Sequence, residues 1–222
     1  QPDVQGAREA LEEGQVLIVG VTPTPEDDWT EEDVADDCAL CCRLAREAGA
    51  QIIECNLSCP NVTSAESYAY TDPELARLIA ERMRAAAPDL PLLLKMGYYE
   101  DAHTMCAVEP YVDGLTLTNG IAKTQVTREG KCAYPEEFRL VSGVGGWGVR
   151  ESSLENLGRA AAIREQEGLE LEFLGCSGIM RPEDAAEYYR AGAGAVQCAT
   201  LAMLAPEAVA GLPSRTEVLG KS

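Results

Sequence analysis

Ile52-Ile53-Glu54-Cys55-Asn56-Leu57-Ser58-Cys59-Pro60-Asn61 begins as a buried strand and breaks into a loop crowded with polar side chains. Pro60 has no N–H and biases Cys59 away from helical geometry, so the strand ends there. A thiol flanked by two carboxamides, Asn56 and Asn61, is thereby delivered to a strand's C-terminal end. In parallel α/β proteins those ends carry the chemistry. The spacing alone leaves two readings open: a buried Cys between turn-forming Asn residues, or a reactive thiol in a site.

Outward from this stretch, apolar runs alternate with helical segments. Residues 16–21, 92–96, 114–119, 171–174 and 195–198 are short runs of the kind parallel strands show when both faces are covered. Residues 3–13 read as a helix stopped by Gly14. Thr30, followed by Glu31, Glu32 and Asp33, caps a helix running to about residue 48. Asp72-Pro73-Glu74 starts another that ends near Pro88. Further helices fall at 102–108, 153–167 and 182–191, with a closing helix from about 206. Residues 120–150 form a Gly-rich excursion, long enough to be functional. Strand–helix alternation without hairpin signals predicts a parallel sheet with helical crossovers. The expected fold is α/β, of the TIM (β/α)8-barrel type, and incomplete: about six β/α units stand where a closed barrel needs eight strands.

The charge is −19, from 37 acidic and 18 basic residues, a surface that repels nucleic acid and anionic membranes. No apolar run approaches the ~20 residues that span a bilayer. The chain begins at Gln1 without a signal-peptide pattern, which suggests trimming rather than export. Of the nine cysteines, Cys38, Cys41 and Cys42 share a helical segment, and no second Cys-x-x-Cys pair completes a metal site. Most read as small buried hydrophobes in a reducing cytoplasm. His103 is the single histidine, which argues against His-based triads and multi-His metal sites.

Asn56-Leu57-Ser58-Cys59-Pro60-Asn61 resembles the catalytic motif of the class 1 dihydroorotate dehydrogenases, and is similar to the matching domain of dihydropyrimidine dehydrogenase. Further matches follow in the family's order to about residue 205. They begin at what would be the family's third strand. The resemblance therefore implies one FMN-binding barrel domain over residues 1–222, truncated at its N-terminus relative to the family by two strand–helix units. In the family those units carry a flexible-loop Lys, a substrate-binding Asn and several flavin contacts.

The resemblance also implies roles. Cys59 would be the catalytic general base. Lys95 would hydrogen-bond the flavin near N1 and O2, its charge stabilising the reduced ring. Asn119, with Asn56 and Asn61, would hold the substrate ring through amide donors and acceptors. Gly120 stands where the family has Ser or Thr, which removes one hydroxyl contact. Gly145 and Gly146, the run Cys176-Ser177-Gly178, and Ala199-Thr200 resemble the family's turns around the FMN phosphate. Backbone N–H groups approach a phosphate closely where side chains are absent.

The implied reaction is FMN-dependent oxidation of dihydroorotate to orotate in pyrimidine synthesis, in a cytoplasmic homodimer. Without iron–sulfur ligands in the chain, a soluble acceptor such as fumarate is simpler than transfer to NAD through a second subunit. Two alternatives remain. One is pyrimidine reduction, against which Asn61 stands where dihydropyrimidine dehydrogenase has His. The other is a barrel remnant that serves as a subunit or binding module without redox chemistry.

Overall fold

Short apolar runs bounded by Gly, Pro or Asp become strands, and the longer capped segments between them become helices. The computed structural model describes residues 2–24, 26, 28–58, 69–98, 101–124, 128–129, 131 and 141–220. In chain order the strands are β1 (Ile18–Val21), β2 (Ile52–Asn56), β3 (Leu92–Lys95), β4 (Gly114–Leu117), β5 (Ile121–Thr124), β6 (Val141–Val144), β7 (Glu172–Cys176) and β8 (Ala195–Gln197). The helices are α1 (Pro2–Glu9), α2 (Glu31–Glu47), α3 (Pro73–Ala86), α4 (His103–Val108), α5 (Arg150–Glu167), α6 (Pro182–Arg190), α7 (Thr200–Leu204), α8 (Pro206–Val209) and α9 (Arg215–Leu219).

Capping fixes where the long helices begin. Thr30 accepts from the Asp33 backbone N–H while Asp33 accepts from that of Thr30, a reciprocal box that satisfies two orphan donors of α2. Asp72 accepts from the N–H groups of Glu74 and Leu75, and Pro73 opens α3 where no N–H is needed.

Six strands form one parallel sheet in the order β1-β2-β3-β4-β7-β8, each new unit laid beside the last. That sequential winding belongs to a barrel and not to a doubly wound sheet. The sheet curls strongly. Gln197 on β8 donates to Glu54 on β2 at 2.6 Å, although β3, β4 and β7 lie between them. In a flat sheet those strands would stand roughly 19 Å apart, farther than the two side chains can reach. The molecule is a partial (β/α) barrel with β1 and β8 at its edges.

Alternation along the strands sorts the residues into two faces. Val21, Ile53, Cys55, Leu92, Leu94, Leu115, Leu117 and Phe173 are buried and belong to the hydrophobic core that the helices cover. α2 contributes Val34, Ala35, Cys38 and Cys42, and α3 contributes Leu75, Ile79 and Met83. Each large side chain buried there contributes about 1.5–3 kcal/mol. The opposite face, inside the curl, carries Glu54, Lys95, Thr116 and Gln197.

Three expectations are corrected. The 120–150 excursion contains an antiparallel hairpin, β5 with β6, stacked outside the main sheet. Its strands lack the two-residue turn that announces a hairpin, because 16 residues separate Thr124 from Val141. The closing helix is three short pieces. Pro206 disfavours the helical region at Ala205, which sits at φ −151° and ψ 72° and ends α7 before α8 begins. The first helix stops at Glu9, with Gly14 at φ +87° in the turn beyond. Of the cysteines described, Cys38, Cys42 and Cys55 are buried thiols, Cys106 is exposed, and Cys41, Cys176 and Cys198 lie between.

Candidate active site

At the inner face a polar floor joins four strands. The Glu54 carboxylate is 7% exposed, and its Oε2 accepts from Thr116 Oγ1 at 2.5 Å and from Gln197 Nε2 at 2.6 Å. Its other oxygen, Oε1, faces the Lys95 ammonium at 3.6 Å. Lys95 Nζ donates to Gln197 Oε1 at 3.1 Å, so the Gln197 amide bridges cation and anion with its two ends. Register explains the meeting: Asn56 pairs with Lys95, Lys95 with Thr116, and Cys176 with Gln197. A buried carboxylate is tolerable because each oxygen has a partner.

Above this floor the mouths of β2 and β4 are tied together by amides. Asn119 Nδ2 donates to Asn56 Oδ1 at 3.2 Å and to the Ser58 carbonyl at 2.9 Å. The Ser58 N–H donates to the same Asn56 oxygen at 3.1 Å. The Asn119 N–H donates to the Met96 carbonyl at 2.8 Å, which anchors the residue between β3 and β4. Cys59 and Asn61 lie outside the described residues.

A cleft of about 150 Å³ opens beside these groups. Its lining includes Lys95, Asn119, Cys176 and Gln197 together with Gly146, Ser177, Gly178, Ala199 and Thr200. Gly145 precedes the lining residue Gly146, and a Cβ there would come within 3.9 Å of the Asn119 carbonyl. The sequence-derived candidates Lys95, Asn119, Gly146, Cys176, Ser177, Gly178, Ala199 and Thr200 therefore share one cavity, and Asn56 reaches it through Asn119. Pockets enclosing a whole small ligand run to roughly 300–1,000 Å³, so this one suits one end of such a ligand.

The turn after β7 is held in an unusual conformation. Ser177 has φ +82° and Gly178 φ +75°. Ser177 Oγ donates to the Thr118 carbonyl at 2.8 Å, and Tyr188 OH donates to the Ser177 carbonyl at 2.7 Å. A non-glycine residue persists in the left-handed region only when its surroundings fix it, and such positions cluster at ligand sites. A Cβ on Gly178 would lie 2.5 Å from Arg150, so only glycine allows that approach. Gly175 likewise admits the Tyr188 ring, whose burial pushes its phenol up to about 12.

Burial raises the Cys176 thiol, opposed by the positive charge of Lys95 and reinforced by Glu54. It is a neutral thiol at pH 7. Burial raises Cys198 in the same way. The glycine-lined rim can admit an anionic group to the backbone, while the floor offers Lys95 as a cation and amide donor–acceptors beside it. Those features fit a phosphorylated ligand carrying a polar ring.

Glu54, Thr116 and Gln197 were not singled out from the sequence. The signal was present: Glu54 is the lone charge of its apolar strand, as Lys95 is of the neighbouring one. Two lone opposite charges on adjacent strands predict a buried pair.

The dihydroorotate dehydrogenase family model matches residues 15–210. A dihydroorotate dehydrogenase of Dictyostelium discoideum is 29% identical over 211 residues, covering 92% of this chain and 56% of that protein. The catalytic subunit of dihydroorotate dehydrogenase B (NAD(+)) from Listeria monocytogenes is 24% identical over 213 residues, covering 93% and 65%. The crystal structure of the Eimeria tenella enzyme DHODH with ferulenol superposes with a TM-score of 0.70 at 18% identity, covering 98% of this chain and 62% of that one. The chain thus spans between about half and two thirds of the length of these relatives. With the fold shared and the family model matched over most of its residues, the chain belongs to the dihydroorotate dehydrogenase family.

Proposed function

We propose that this chain is the FMN-binding part of a dihydroorotate dehydrogenase, oxidising dihydroorotate to orotate in the pyrimidine pathway of a reducing cytoplasm. The observation that carries the reading is the convergence of Lys95, Asn119, the Ser177-Gly178 turn and Thr200 on one cleft at the strand mouths. Residues 1–222 act as one domain, corresponding to the family's barrel from its third strand onward.

Bound FMN would accept hydride from C6 of the substrate. The chain's own groups do the rest. Cys59, as thiolate, takes the proton from C5. A free thiol with a pKa of about 8.5 is a weak base at neutral pH, so the site must favour its ionised form. Asn56, Asn61 and Asn119 orient the substrate ring by hydrogen bonds. Lys95 would supply positive charge to stabilise a reduced, anionic flavin. Gly145, Gly146, Cys176, Ser177, Gly178, Ala199 and Thr200 hold the phosphate end by backbone approach. A soluble acceptor such as fumarate would take up the electrons, and two copies would form a homodimer.

Purified chain supplied with FMN should retain yellow colour, with absorbance near about 450 nm, after desalting. Dihydroorotate should bleach it and dihydrouracil should not. Cys59→Ala should keep the flavin and slow its reduction by dihydroorotate on the order of 10²–10⁴-fold, the usual contribution of an acid–base group. Normal reduction by that variant removes Cys59 from the mechanism, and a chain that takes up no FMN rejects the assignment.

A further inference from the structure

The Glu54 carboxylate has no part in the reaction just described, yet it lies inside the curl beside the group that does. A charge that deeply buried needs a reason, since a hydrophobic residue would cost less there. Its oxygens divide the work. Oε2 is fixed by Thr116 and Gln197, so the carboxylate cannot rotate away. Oε1 stands 3.6 Å from Lys95 Nζ, close enough to attract the ammonium but too far for a hydrogen bond.

Lysine carries three donors on a flexible four-carbon stem, and an unrestrained one extends its head to water. Here the Lys95 side chain is only 20% exposed, and one donor goes to Gln197 Oε1. Glu54 therefore retains the ammonium by charge without using up its N–H groups. Lys95 also lines the cleft, within which its other donors are available.

We propose that Glu54 is a positioning residue: through its own charge and the Gln197 bridge, it holds the Lys95 ammonium at the cleft floor with donors directed at the ligand. The functional half of this inference rests on the flavin reading above; the positioning half does not.

Timed acetylation with acetic anhydride, read by mass spectrometry, separates the two, because the chain has only four lysines. Glu54→Gln keeps the shape and an acceptor for Thr116 but removes the charge. It should speed acetylation of Lys95 about tenfold and leave the other lysines unchanged, as a freed stem swings to solvent. Glu54→Asp, which keeps the charge, should restore most of the protection. If Glu54→Gln does not fold, Gln197→Leu takes its place, cutting the bridge, and should give the same selective rise. Equal Lys95 labelling in the parent and substituted chains overturns the proposal. In parallel, the FMN dissociation constant of Glu54→Gln should rise about tenfold, reflecting a cation no longer held at the ring. Selective labelling in a chain that takes up no FMN upholds the positioning role and rejects the flavin reading alone.

Discussion

The two faces of one sheet divide the work of this molecule. The helix-side face is apolar and closed: Ile53, Leu94, Leu115, Leu117 and Phe173 are each 0% exposed. Glu54, Lys95 and Thr116, one position along from Ile53, Leu94 and Leu115, turn inward and are tied to one another and to Gln197 across the curl. A strand residue's direction thus decides whether it holds the fold together or faces the inner polar floor. The same four- or five-residue strand does both.

The division predicts opposite phenotypes for the two faces. Phe173→Ala, on the helix side, should cost about 3–5 kcal/mol of stability in urea denaturation. The flavin affinity of the folded fraction should stay unchanged. A large loss of affinity there would break the comparison.

Next in size is an alkaline effect led by the helix-side face. Burial and the neighbouring thiols Cys38 and Cys41 push Cys42 up to about 12 from an ordinary 9.0. Cys55 is also raised well above its ordinary value, chiefly by its contact with Cys38. Above about pH 9 the unfolded chain releases these protons while the native state keeps them. Stability therefore stands in full below pH 9 and falls as pH rises toward 12. Cys42 alone should account for about 2–3 kcal/mol by pH 11. Denaturation between pH 8 and 11 should show this loss, and Cys42→Ala should flatten it.

The smallest effect belongs to the inner face. Lys95→Met should lower flavin affinity about tenfold, or about 1.4 kcal/mol. It also leaves Glu54 Oε1 without its counter-ion, a cost that should stay below that of Phe173→Ala because Oε2 keeps its bonds to Thr116 and Gln197. A stability loss as large as that of Phe173→Ala would mean that the inner face also carries the fold.

Much of this was legible in the sequence because local rules governed it. The Thr30 and Asp72 caps, the apolar strand cores and the glycine turns each depend on neighbours within a few residues. Lys95, Asn119, Ser177 and Thr200 could be placed at strand mouths by the same local logic. Glu54 and Gln197 could not be paired, because their meeting depends on how far the sheet curls. The β5–β6 hairpin escaped notice because its strands are far apart in sequence, and the short C-terminal helices because Pro206 acts on the residue before it.

The Glu54–Gln197 bridge joins positions 143 residues apart. Lys95 sits only 41 residues beyond Glu54, and loop-closure entropy adds about 0.6 kcal/mol for every doubling of the separation. The cleft lined by both Lys95 and Gln197 is complete only when β8 has joined the sheet. A chain that has formed β2, β3 and β4 already possesses the lysine and its counter-ion but lacks the amide that bridges them.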